Sequence, residues 1–351
     1  MTEERVHPID APRAIRKGEE LDLARLKEYL SSELGRPVKD LEVQQFPSGH
    51  SNLTYLLRWD EEEWILRRPP VGADIESGHD MNREHHILSG LAAHYPRVPR
   101  PLLLCWDHSV LGAPFYLMER VKGLIVRSEI VGELGWGAEE WRRKSTQLVE
   151  TLVEIHDIDY EAAGLGDLGH PEGYVARQVE GWGRRYGKAR TDDIPEMERV
   201  AEWLESNQPT ETGATLIHND FKYDNVVFAP SPPSEVLSVL DWEMATIGDP
   251  LMDLGTTLAY WIEAGDSPIL QKFGLNVTNQ PGNLTRREVA ERYGELSGRD
   301  VSDVIFYYVF GLFKVAVIGQ QIYQRYDKGL TEDPRFAPLI HAVRALAKTA
   351  V

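Results

Sequence analysis

Two stretches of this chain concentrate side chains able to do chemistry: "LIHNDFKYDNVVF" (216–228) and "VLSVLDWEMATIGDP" (236–250). Asp220 and Asn225 stand five apart in a loop that enters a short apolar strand. Asp241 stands at the end of a second apolar strand, sixteen positions after Asn225. Phosphoryl transfer needs a carboxylate beside the incoming hydroxyl and oxygen ligands that hold Mg²⁺ against nucleotide phosphates. A hairpin carrying Asn225 and Asp241 can bring both side-chain oxygens to one ion, and Asp220 can orient or deprotonate the acceptor. The spacing matches the protein-kinase pattern of a catalytic Asp with an Asn five positions on. Each residue alone would read as a capping side chain in a turn; the ordered set argues for chemistry.

Leu23, Leu26, Leu30 and Leu34 recur at helical spacing, with Gly35 placed to end the helix. Strand patterns follow at 41–46, 53–59 and 63–68, then a helix over 80–95 and strands at 101–106 and 115–121. From about residue 122 helical patterns dominate, at 139–157, 171–188, 195–206, from Leu251 and over 304–325. A strand–loop–strand region at 216–241 breaks them. The order predicts an α+β fold of two lobes, split into 1–120 (with 1–20 as a polar arm) and 121–351.

Of 351 residues, 38 are Lys or Arg and 56 Asp or Glu, a formal charge of −18 that disfavours nucleic acid or an anionic membrane as partner. With 42% hydrophobic and 27% charged residues the composition is that of a folded chain. The single cysteine, Cys105, can form neither an intramolecular disulfide nor a multi-Cys metal site, and "PLLLCWD" reads as a buried strand. The start shows no basic flank followed by an apolar stretch. The longest apolar run, Val304 to Ile318, is interrupted by Lys314 and too short to span a bilayer. These features predict a cytoplasmic protein. His79, His85 and His86, near Asp80, lack the i, i+4 spacing of a helical metal pair and read as a solvated helix face.

The ordered motifs resemble the aminoglycoside phosphotransferase/choline kinase-like family of small-molecule kinases. "HNDFKYDN" is similar to that family's HGDxxxxN-type catalytic loop, and "LDWE…GDPLMDLG" to its metal-binding segment, within a resemblance running from about residue 40 to 260. The overall wording is most similar to the phosphotransferase domains beside or fused to acyl-CoA dehydrogenases. The resemblance implies a protein-kinase-like fold, with a small antiparallel β-sheet lobe that binds the nucleotide and a mostly helical lobe with the catalytic loop, metal site and acceptor pocket. It implies ATP- and Mg²⁺-dependent transfer to a hydroxyl of a small molecule, with a hydroxy acid or hydroxyacyl thioester among the candidates.

By this resemblance Asp220 is the catalytic base, and Asn225 and Asp241 are the metal ligands. Lys222 matches the position of a γ-phosphate-contacting Lys in protein Ser/Thr kinases, which many small-molecule kinases lack. Ser48, Gly49, His50, Ser51 and Asn52 would form the turn over the phosphates, although one glycine also suits an ordinary hairpin loop. In "WILRRPP" Arg67 replaces the kinase Lys and can hold phosphate oxygens bidentately. Alternation from Ile65 turns Arg67 toward the cleft and Arg68 away, with Glu84 as the ion-pair partner of Arg67. Backbone groups near Met118, Glu119 and Val121 would meet adenine, where an edge strand running into a turn is the other reading. His218 is expected on the backbone or Asp241, and Asp253 at the helix start and the loop. Gln320, Tyr323, Gln324 and Arg325, at the end of the stripe Phe306, Phe310, Phe313 and Val317, would border the acceptor. The competing function is a catalytically silent nucleotide-binding module that partners another enzyme.

Overall fold

Asp22 accepts hydrogen bonds from the N–H groups of Ala24 and Arg25 to open α1 (Leu23–Leu34), and Gly35, left-handed at φ 63°, closes it. The computed structural model describes residues 11–46, 52–70, 80–231, 234–331 and 333–351. Along the chain follow β1 (Glu42–Gln45), β2 (Leu53–Trp59), β3 (Glu62–Arg68), α2 (Met81–Leu91), β4 (Pro101–Cys105), α3 (His108–Leu111), β5 (Phe115–Glu119) and β6 (Leu124–Ile125). Next come α4 (Val131–Leu134), α5 (Ala138–His156), α6 (Tyr174–Ala189), α7 (Pro195–Ser206), β7 (Thr215–Ile217), β8 (Val226–Phe228), β9 (Val236–Val239) and β10 (Thr246–Gly248). The chain ends with α8 (Pro250–Tyr260), α9 (Pro268–Phe273), α10 (Arg286–Ser297), α11 (Val304–Asp327) and α12 (Leu339–Ala350).

The chain divides into two units, one of residues up to Ile125 with Val226–Met244, the other of Val126–Asn225 with Ala245–Val351. The division therefore falls five residues later than the expected 120, and β8 and β9 belong with the first unit. Their sequence position gave no sign of this. They join β6 in a three-stranded antiparallel sheet, ordered β6-β8-β9, whose strands all belong to that unit.

The first unit is built on a five-stranded sheet in the order β1-β2-β3-β5-β4, antiparallel throughout. Alternation sends Leu53, Tyr55, Leu57, Trp59 and Leu66 into one core, which Leu26 and Leu30 of α1 share with Cys105. Arg68, two residues beyond Leu66, is buried by that face beside Tyr55, and burial lowers its pKa. Arg67 takes the opposite face, where α2 lies. The two arginines take opposite faces, as the alternation predicts, and both are buried.

The second unit is mostly helical. Pro195 starts α7 at its first turn, and Thr285 and Glu288 close a reciprocal capping box on α10. Asp249 caps α8 by accepting from the Leu251 N–H. α11 runs 24 residues, longer than its apolar run suggested. By length and composition it could cross a membrane, yet 67% of its most apolar stretch is buried in the protein. Gly255 of α8 and Gly311 of α11 let the two backbones touch: a Cβ on Gly311 would lie 2.2 Å from the Gly255 carbonyl oxygen. Because that neighbour is backbone, it cannot rotate away. Gly311→Ala should therefore destabilise by about 1–3 kcal/mol or more. Differential scanning calorimetry should show a fall in Tm of at least about 2 °C; an unchanged Tm would mean the helices separate without loss.

Candidate active site

The first unit gathers one cation and three carboxylates. Arg67 Nη1 lies 3.0 Å from Glu84 Oε1, while Nη2 lies 3.0 Å from Asp241 Oδ1 and 3.3 Å from Glu243 Oε2. The Arg67 and Glu84 side chains are buried, at 9% and 2% exposure. Burial opposes the Arg67 charge, but Glu84, Tyr116, Asp241 and Glu243 outweigh it and raise the guanidinium pKa. One arginine shared by three acids cannot compensate each of them. Burial, with Asp241 adding to it, pushes Glu84 up to about 7 against the lowering effect of Arg67 and the Tyr116 hydrogen bond.

That shift has a signed consequence. Between the ordinary carboxylate range and about pH 7, folded Glu84 keeps a proton that the unfolded chain has released. Its contribution to stability is full at the acid end and is lost as pH rises through about 7. Glu84→Gln removes the titration. From pH 5 to pH 8 the wild-type Tm should fall relative to that of the variant, as followed by thermal melts across the range; parallel curves would place the Glu84 titration elsewhere.

Asp241 and its neighbour Glu243 are presented by the turn after β9. Asp241 is left-handed at φ 66°, a conformation Asp tolerates better than most residues, and the Trp242 indole N–H donates to the Val239 carbonyl at 2.9 Å to fasten the turn. Asn52, expected over the phosphates, is buried instead with its amide donating to Glu243 Oε2 at 2.7 Å. Ser48, Gly49, His50 and Ser51, and likewise His79, lie outside the described residues. Met118 is buried at the end of β5. Of the backbone groups expected near adenine, the Glu119 N–H donates to the Arg100 carbonyl at 2.9 Å, where β5 continues its pairing. Val121 lies just past that pairing, half-buried. His85 and His86 are half-buried rather than solvated, and His85 packs edge-on to Tyr116.

The second unit holds the loop after β7. Lys222 Nζ donates to both Asp220 oxygens at 2.9 Å, and Asn225 Nδ2 donates to Asp220 Oδ2 at 2.9 Å and to its carbonyl at 2.8 Å. Asp220 remains 20% exposed, so the fixed carboxylate is still reachable. Burial would lower the Lys222 pKa, but Asp220, Tyr260 and Asp224 raise it above its ordinary value. The Lys222 ammonium also sits 4.7 Å from the Tyr260 ring centroid. The Tyr260 phenol is raised by burial and by its hydrogen bond to Asp220. Burial raises Asp224, with Lys222 and Arg127 opposing.

Behind the loop lies a buried relay. Asp253 accepts from the His218 N–H at 2.6 Å and the Asn219 N–H at 2.8 Å, and His156 Nε2 lies 3.2 Å from it. Burial would raise the Asp253 carboxyl, but His156 and His218 hold it below its ordinary value. Asp253 thus fastens the loop, whereas the helix start belongs to Asp249. His218 Nδ1 faces the Asp220 N–H at 3.3 Å, the backbone role expected for it. Gln320 and Gln324 donate to the Ala189 and Lys188 carbonyls, so they tie α11 to the end of α6; Arg325 is exposed. Sequence reasoning missed Glu243, Tyr116 and Tyr260. Only Glu243 carried a signal, an acid two places after Asp241.

The sequence model described as "Phosphotransferase enzyme family" matches residues 42–286. Acyl-CoA dehydrogenase family member 10 of Mus musculus is 36% identical over 318 residues, covering 89% of this chain and 29% of that protein. Family member 11 of Gallus gallus is 35% identical over 322 residues, covering 89% and 41%. The chain thus spans well under half the length of these two relatives. A crystal structure from Ralstonia eutropha, of a protein named for the aminoglycoside phosphotransferases, aligns with TM-score 0.77 and 28% identity over 94% of this chain and 97% of that one. The GDP and kanamycin complex of APH(2")-IIia aligns with TM-score 0.64 at 15% identity, over 93% of this chain and 99% of that one. The kinase-like α+β fold expected from the motifs is therefore present, and the order of those motifs, the matched span and the likeness in fold agree that the chain belongs to the phosphotransferase enzyme family.

Proposed function

We propose that this chain transfers the γ-phosphoryl group of Mg·ATP to a hydroxyl of a small molecule. The observation that carries the reading is the seating of Asp220, whose carboxylate is fixed by Lys222 and Asn225 yet remains exposed to an incoming group. Held this way, it accepts a hydrogen bond from the acceptor hydroxyl and takes its proton as the new bond forms. Lys222 pairs with that carboxylate and is the residue proposed to meet a phosphate oxygen.

Asn225 and Asp241 are the proposed ligands of Mg²⁺. Their donors fit a hard cation: with Nδ2 of Asn225 committed to Asp220, Oδ1 is its remaining oxygen, and Asp241 offers a carboxylate. Among the described residues no group of three or more His, Cys, Asp and Glu is arranged to hold a metal ion. That suits Mg²⁺, which commonly takes one or two protein ligands and completes its shell with phosphate and water. Mg·ATP, when bound, supplies the phosphoryl group and neutralises the charge that develops on it. Arg67, anchored by Glu84, is the cation proposed for the α- and β-phosphates.

A hydroxy acid or hydroxyacyl thioester is the proposed acceptor, a reading supported by the relatives named for acyl-CoA dehydrogenases. An ATP-consumption assay with Mg²⁺ across hydroxy acids, hydroxyacyl thioesters, amino alcohols and aminoglycosides tests it. Acceptor-dependent ADP release with one class supports the proposal. Tight Mg·ATP binding without turnover on any class would favour the silent module.

A further inference from the structure

α11 buries a lysine among Phe310, Phe313 and Val317, where every neighbouring position of the helix is apolar. Lys314 is 3% exposed. An ammonium loses its water at such a site, which is strongly unfavourable unless hydrogen bonds replace it. Lys314 Nζ has three partners: the Asn219 carbonyl at 3.0 Å, Asn219 Oδ1 at 3.2 Å and Thr256 Oγ1 at 3.5 Å. Two of the three belong to one residue, and that residue immediately precedes Asp220.

Asn219 is left-handed, at φ 67°. Its N–H is fixed on Asp253 at 2.8 Å, so the turn is gripped from both sides, by a buried acid on the donor and a buried cation on the acceptor. We propose that Lys314 is a positioning residue of the catalytic loop: its ammonium holds both oxygens of Asn219 and so keeps the left-handed turn that presents Asp220. The inference rests on the reading of Asp220 as the base, and Lys314 itself touches no reacting group.

The surroundings agree. Asp253 and Thr256 face Lys314 from α8, Asp220 and Lys222 from the loop, and Arg185 and the Trp182 ring from α6. Burial brings the ammonium down to about 8, with Asp253 and Asp220 opposing the fall, so it is charged at neutral pH. A neutral side chain of similar length would fill the space and release the two Asn219 oxygens, leaving the turn held on its donor side alone.

Lys314→Met tests this by hydrogen exchange and by ATP turnover with water as the acceptor. Amide exchange over residues 217–222 should quicken at least about tenfold beyond any change in the rest of the unit, because only that segment loses its hold. Turnover at saturating Mg·ATP should fall at least about tenfold through misplacement of Asp220, while calorimetry shows Mg·ATP affinity within about twofold of wild type. Should the methionine variant fail to fold, the shorter, polar Lys314→Gln carries the same comparison. Loop exchange that moves only with the whole unit would overturn the proposal, as would turnover and nucleotide affinity falling together. A wild-type protein that turns over no ATP with any of the acceptor classes named above would sink the kinase reading, and the exchange comparison would still decide what Lys314 holds.

Discussion

Asp220→Asn is expected to lower turnover roughly 10²- to 10⁴-fold, the range for a general acid–base group, while fold and Mg·ATP affinity stay near wild type. The variant is nearly isosteric, and the Asn219 turn is held by Asp253 and Lys314 rather than by Asp220 itself. What changes is chemistry. A carboxamide cannot take the acceptor's proton, and it no longer offers Lys222 two charged oxygens. Turnover with an identified acceptor and calorimetry with Mg·ATP separate these effects. Wild-type turnover in the variant would remove Asp220 from the reaction; lost nucleotide binding would make it a structural residue.

Asp241→Asn, which keeps an oxygen but loses the charge that holds the ion, should strip most of the Mg²⁺ dependence from ATP binding. The loss should exceed the about 10- to 100-fold typical of groups that stand behind a metal ligand. Asparagine is the sharper choice over alanine because Asp241 sits at φ 66°, where Asn is tolerated and Ala is strained. The Arg67 cluster survives the change, since Glu84 at 3.0 Å and Glu243 at 3.3 Å still hold the guanidinium. Metal-free ATP should bind no more weakly than before, because one carboxylate fewer repels the phosphates. Calorimetry with and without Mg²⁺ reads both quantities. Unchanged Mg·ATP affinity would put the ion's ligand elsewhere.

The sequence by itself determined what is local. Asp220, Lys222 and Asn225 lie within six positions, so one loop conformation brings them together. The end of α1 was legible for the same reason: Gly35 acts on backbone groups within a turn of itself. Alternation along β3 separated Arg67 from Arg68, because in a strand orientation follows from position alone. The tertiary structure decided the rest. Asn52 meets Glu243 across 191 positions, Arg67 meets Asp241 across 174 and Lys314 meets Asn219 across 95. Such pairs leave no periodic trace, since each partner is set by the path of the chain between them rather than by its neighbours. Arg67 drew three acids where one was foreseen, and it is burial, which no spacing reports, with Asp241 adding to it, that raises Glu84 to about 7. Lys314 looked like an interruption in an apolar run; only the close approach of α8 to α11 at Gly255 and Gly311 turns it toward the loop that carries Asp220.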